Sequence, residues 1–281
     1  MQSEALTLLA GVGSLLQETC VMLAVLLAPF VVFAVVIHWL ESAIQKRLSE
    51  RFGWRAVLWT GWLGTPIHEL SHAAMCLVFR HRIDEIALFE PDRESGRLGY
   101  VRHSFRKGNW YEELGNVFIG IAPLIGGSFA LGFLLWLFYP EAANAALESA
   151  RSASDAAEPS SPTNQVLQSV WGITKEILVW SNFFTPKFWG FIYLVLCVGS
   201  HMAPSASDYR GAMRGSILFT AIIGVLALLL ALIQTNVSDI ISQLVGLLAP
   251  VFAVFGLTMV LCFVSTLIVH ILTIFIPRFF K

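Results

Sequence analysis

The chain has 281 residues, 56% hydrophobic and 13% charged, with a formal net charge of -1 and a mean hydropathy of +0.71. Soluble domains carry about a quarter charged residues, so half that share with long apolar runs excludes an ordinary soluble domain and points to a multi-spanning membrane protein in a lipid bilayer. The near-neutral balance gives no case for a nucleic-acid partner.

In chain order, residues 1–19 contain no Lys or Arg, so the basic start of a secretory signal is missing. The first apolar run, Cys20 to Leu40, therefore reads as a retained span. After it, Ile44, Leu48 and Phe52 recur at helical spacing with Lys46, Arg47 and Arg51 on other faces, the pattern of an interfacial amphipathic helix. A second span, about Trp54 to Phe79, contains TPIHELSHAAM. Residues 80–113 are polar and basic, and EIALFEP and LGYVRHSF flank the turn-rich DRESGR, which predicts a β-hairpin.

The third span, about Gly115 to Phe138, includes GIAPLIGG, whose small residues suit close helix packing. Residues 139–165, rich in Ala, Ser, Glu and Pro, read as a flexible loop, and 166–185 as an amphipathic surface helix. Further spans are expected at Pro186–Pro204, Ser216–Ile233 and Val245–Ile276, the last with Pro250 or Gly256 as a kink point. The expected fold is a single all-α membrane domain over 1–281, with about six transmembrane helices and a short membrane-associated β-hairpin between the second and third.

If the second span runs inward, 11 of the 18 basic residues fall on the cytoplasmic side, which favours that orientation; the cluster at 46–55 falls on the other side. Trp39, Trp54 and Trp189 suit interfacial anchoring. Cys20, Cys76, Cys197 and Cys262 form no CxxC pair and read as buried thiols. His81 and His103 lie in a basic loop with no role assigned.

His68 to His72 spell HELSH, an HExxH motif. Helical residues four apart share a face, so His68 and His72 can present two imidazoles to one metal ion. Zinc suits such ligands and keeps a position for water in catalytic sites. Glu69 is placed to act as general base, taking the proton of a zinc-activated water as it attacks a carbonyl. The motif also recurs on ordinary polar helix faces, but here it lies inside an apolar span, where ionisable groups are costly and need a partner. A third ligand must come from elsewhere. Asp208, just after Pro204, is one candidate, with pairing to Arg210 as the alternative reading of that residue. His201 is another ligand candidate or a supporting partner of one. Glu112, Glu113 and Glu176 lie in polar connections.

On these residues the chain resembles the site-2 protease class of intramembrane zinc metalloproteases, as a divergent branch. That class has an HExxH turn within a transmembrane helix and an Asp on a later helix, typically in a Pro-rich stretch ending Leu-Asp-Gly. Here the first motif is intact. In the second, Pro204-Ser205-Ala206-Ser207-Asp208-Tyr209-Arg210-Gly211, Ser207 replaces the Leu and the Gly comes three residues after the Asp. Ala122-Pro123-Leu124 is similar to the family's Gly-Pro element, with Gly-Gly in place of the usual following Asn. The resemblance covers about 54–211, the catalytic core it implies. It implies His68, His72 and Asp208 as ligands of Zn2+ and Glu69 as the catalytic residue. It further implies a membrane-protein substrate cut in or near a transmembrane segment. The location expected is a prokaryotic plasma membrane, with the site toward the cytoplasm.

Other readings use the same residues. A metal transporter would spread ionisable ligands over several spans, whereas the fifth expected span has none and the sixth only His270 near its end. A membrane zincin of another class would cut non-transmembrane peptides with a Glu as third ligand. A non-catalytic relative would bind membrane proteins without cutting them, and the intact Glu69 counts against it. A regulatory membrane partner and the oligomeric state are left open.

Overall fold

Apolar chain without water to satisfy its N–H and C=O groups must close those bonds internally, and nearly every element here is a helix. The computed structural model describes residues 2–145, 148, 162–232 and 237–275. Helix α1 spans Gln2–Phe52, α2 Trp54–Val78, α3 Trp110–Phe138, α4 Pro162–Ile177, α5 Pro186–Gly199, α6 Ala206–Leu232 and α7 Val237–Phe275. A 3-10 turn, Trp180–Phe184, precedes α5. Between α2 and α3, strands β1 (Arg82–Ala87) and β2 (Tyr100–Ser104) pair antiparallel, with a bulge between Ile83 and Glu85. This is the expected hairpin.

Among the described residues, three helical segments are long and apolar enough to cross a membrane: Thr19–Phe52, Trp110–Phe138 and Val254–Ile274. The sequence reading expected about twice that number. Helix α2 has 25 residues, but its polar site residues dilute its hydropathy. Helix α5 has only 14 residues, about 21 Å of rise. Among the described residues of α6 the apolar stretch is Gly215–Leu226, and the sequence stays apolar to the helix end at Leu232.

Other expectations shift for physical reasons. No separate interfacial helix follows the first span: α1 runs unbroken to Phe52. Its face of Ile44 and Leu48 is buried against Ala56 and Val269 instead of lying on a membrane surface. Gly53, at φ +67° and ψ -157°, then breaks α1 from α2 in a positive-φ extended conformation that is essentially reserved for glycine. In the expected loop 139–165, residues 140–145 are helical and 162–165 open α4, while 146–161, apart from 148, lie outside the described residues. The amphipathic segment after it forms α4, with Ile173 and Ile177 buried and Trp171 exposed. Helix α7 stays helical through Pro250 and Gly256. Cys20 is exposed, while the other three cysteines are buried.

The main core gathers Phe33 and Ile37 of α1, Leu131 and Leu135 of α3, Phe188, Phe191 and Val195 of α5, and Phe255 and Leu261 of α7. Phe33 and Phe255 stack at 3.9 Å between centroids. Around the site the helices meet through small residues, which let their backbones approach closely. A Cβ on Gly120 would meet the Asp208 carbonyl at 2.8 Å and Ala212 at 2.7 Å, and one on Gly127 would meet Met202 at 2.8 Å. The glycines of GIAPLIGG thus serve the close approach expected of them.

The end of α2 is a Schellman turn: Arg80 N–H donates to Leu77 O and His81 N–H to Cys76 O. The left-handed position is held by Arg80, φ +59°, rather than the usual glycine. That placement costs about 1 kcal/mol. It drops His81 into a buried slot against Gly115 of α3.

Candidate metal centre

His68 and His72 lie one turn apart on α2, with imidazole centroids 4.9 Å apart. Each ring is held from behind. His68 Nδ1–H donates to the His201 carbonyl at 2.7 Å, and His72 Nδ1–H to the Ile119 carbonyl at 2.8 Å. A carbonyl can only accept, so each Nδ1 carries a proton, and in the neutral ring each Nε2 offers a lone pair. Those two Nε2 atoms face each other 3.1 Å apart. In the neutral rings the facing lone pairs repel, and a metal cation or a proton between them relieves that repulsion.

Asp208 completes the group. The sequence Ser205-Ala206-Ser207-Asp208 folds as a capping box at the start of α6. Asp208 Oδ2 accepts from Ser205 N–H at 2.7 Å and from its hydroxyl at 2.6 Å. The helix start also favours the negative charge. Asp208 Oδ1 lies 3.4 Å from His72 Nε2, and Oδ2 lies 3.7 Å from His68 Nε2. Tetrahedral zinc with ligands near 2.05 Å calls for donor-to-donor edges of about 3.3 Å. The 3.1 Å edge between the imidazoles is close to that value, the two carboxylate oxygens lie 3.4 and 3.7 Å from one imidazole each, and the His68, His72, Asp208 group could hold a metal ion.

No protein-family model, curated protein or solved structure matches the chain. The site is therefore read from its own residues.

Glu69 is 7% exposed, and the hairpin lies over it. A Cβ on Gly99, just before β2, would meet Glu69 Cγ at 3.0 Å, Thr65 Cγ2 at 2.9 Å and the Ala87 carbonyl at 2.7 Å. Only a glycine lets the strand come this close. One residue earlier, Leu98 seats against Gly61 of α2. A cleft of about 330 Å³ opens beside His68 and Glu69, walled by His38, Glu41 and Gln45 of α1 and by Ala203 and Pro204.

The other ligand candidates go elsewhere. The Glu112 carboxylate accepts from Arg106 N–H at 2.6 Å, Arg106 Nε at 2.8 Å and Asn109 Nδ2 at 2.8 Å. It ties the hairpin's return to α3. Glu113 accepts from Gly108 N–H at 2.7 Å, and Glu176 is exposed on α4. The His201 ring lies 3.2 Å from the Cys197 carbonyl and 3.3 Å from Gln45 Nε2, so it is the backbone of His201 that serves the centre.

Two features escaped the sequence reading. Glu41 and Gln45 of α1, four apart between buried Leu40, Ile44 and Leu48, reach the segment between α5 and α6. A carboxylate and an amide on the face next to a buried stripe were the available signal. His81 and His103 form a second pair, Nδ1 to Nδ1 at 3.0 Å, with His81 Nε2–H donating to the Glu112 carbonyl at 2.7 Å. Burial holds the His103 imidazole below the ordinary histidine range, and the neighbouring His81 acts the same way.

Proposed function

We propose that this protein is an intramembrane zinc metalloprotease that hydrolyses peptide bonds in or near transmembrane segments of other membrane proteins. The observation that carries the proposal is the pair of carbonyl-anchored imidazoles, His68 and His72, whose free Nε2 atoms converge beside Asp208. Such anchoring fixes ring orientation and raises ligand basicity.

Zinc held there would lower the pKa of a bound water toward neutrality and polarise a carbonyl. The chain supplies the rest. Glu69, enclosed beneath Gly99 and next to His68 along α2, takes a proton from the attacking water and returns it to the leaving amine. The hairpin and α3 shield the site from the side. The cleft beside Glu69 gives an unwound substrate segment a protein-lined space, which irregular backbone needs at membrane depth.

Membrane placement draws support from the perimeter. Val31, Val32 and Val35 of α1, Phe129, Phe133 and Leu137 of α3, Ile217 and Val225 of α6, and Phe263 and Ile274 of α7 are exposed. So much outward apolar surface suits lipid better than water. In this reading α2, α5 and α6 complete a bundle of about six membrane helices, with the hairpin toward the cytoplasm. A sheet of two strands leaves an outer edge free, and that edge would hold the unwound substrate by β-addition.

The deciding test is cleavage of a single-span reporter protein co-reconstituted with the purified enzyme in liposomes. Glu69→Gln should keep zinc and lose roughly 10²–10⁴-fold in rate. Equal cleavage by wild type and Glu69→Gln would sink the proposal. Proline at Ile86 or Val101 should slow cleavage without releasing zinc, and an unchanged rate in both would remove β-addition from the mechanism.

A further inference from the structure

The segment 200–205, between α5 and α6, carries the support of two of the three candidate ligands. Its His201 carbonyl accepts from His68 Nδ1–H at 2.7 Å, and its Ser205 donates to Asp208 from both backbone and hydroxyl. This segment has no regular backbone ladder of its own. A one-ångström drift would turn the His68 ring and unseat the carboxylate together.

Helix α1 holds it. Glu41 Oε2 accepts from Ala203 N–H at 2.7 Å. One turn later, Gln45 Nε2 donates to the Ser200 carbonyl at 2.8 Å, and the same amide lies 3.3 Å from His201 Nε2. The two side chains thus grip the segment on both sides of His201. Gly64 of α2 presses it from the other side, since a Cβ there would meet His201 Cβ at 2.8 Å and Cγ at 2.9 Å. Buried Leu40 and Ile44 flank Glu41 and Gln45 and keep that face of α1 docked.

We infer that Glu41 and Gln45 are positioning residues of the metal centre, and that α1 belongs to it although it lies outside the 54–211 core. The inference rests on His68, His72 and Asp208 binding metal. Glu41 acts as an acceptor for Ala203 N–H and Gln45 as a donor to Ser200 O. Loss of either bond frees the segment and spreads the geometry of two ligands at once.

The test is metal binding by the full-length protein in detergent, stripped and titrated with Co2+ and then Zn2+. Glu41→Leu and Gln45→Leu should each weaken binding about 10-fold or more and change the visible Co2+ spectrum. Glu41→Gln keeps an oxygen for Ala203 N–H and should bind like wild type, as should Glu50→Ala, exposed on the same helix. Gln45→Glu keeps size and polarity but cannot donate when ionised, so it should bind like Gln45→Leu; it carries the test if the leucine variants fail to fold. Wild-type affinity and spectrum in Gln45→Glu and in the folded leucine variants would overturn the inference while leaving the metal centre intact. A wild-type protein that takes up no metal would overturn both.

Discussion

His68 and His72 meet with Nε2 atoms 3.1 Å apart, and His81 and His103 meet with Nδ1 atoms 3.0 Å apart. The two pairs differ in what holds the far nitrogens. In the first, both far nitrogens donate to carbonyls, so in the neutral rings both facing atoms are lone-pair donors. In the second, only His81 is fixed that way, by the Glu112 carbonyl. His103 is then free to protonate at Nδ1 and donate to His81. The first pair has the Asp208 carboxylate beside it. Beside the second, the Glu112 carboxylate near His81 already accepts from Arg106 and Asn109, and Asp84 near His103 pairs with Arg82. Two imidazole nitrogens at the same separation can thus mark a metal site or a plain hydrogen bond, and the backbone behind the rings decides which.

Metal content is the strongest way to break this contrast. Wild type should carry about one zinc per chain, and His72→Ala and Asp208→Ala should lose it, read by elemental analysis of the purified protein. Two zinc ions per chain would mean that the second pair also binds metal. A milder change is His81→Phe, which removes a buried donor but keeps a ring. It should leave zinc unchanged and lower stability by about 1–3 kcal/mol, because the Glu112 carbonyl and His103 lose their partner. Thermal unfolding in detergent reads that shift. Smallest is Ser205→Ala. It opens half the capping box at Asp208 and should cost about 1 kcal/mol. Zinc stoichiometry should stay whole while affinity drops.

Much of this was legible in the sequence because it was local. His68 and His72 share a helical face by spacing alone, and the hairpin announced itself through alternation around a turn. Asp208 was legible as a candidate, and the Ser205-x-x-Asp208 spacing also encodes how it is held. What stayed hidden depends on partners far along the chain. The stripe Leu40, Ile44, Leu48 looks the same whether it meets a membrane surface or Ala56 and Val269. Nothing near Glu41 reveals that its carboxylate meets Ala203, 162 residues away. Gly99 reads as a loop glycine until the strand is seen lying on Glu69. The number of spans was the least legible quantity, since apolar composition does not fix where α5 stops.

That stop has a consequence for the surrounding lipid. Helix α5 ends after 14 residues, roughly 9 Å short of a 30 Å hydrocarbon layer. In the proposed membrane placement, with α5 as a span, the bilayer would have to dip toward Ser200 or let headgroups follow the chain inward. Such a pinch costs fractions of a kcal/mol per ångström of mismatch. In that placement acyl-chain length would become a tuning variable: short-chain lipids would relax the pinch, and long-chain lipids would load it onto the segment that bears the His201 carbonyl.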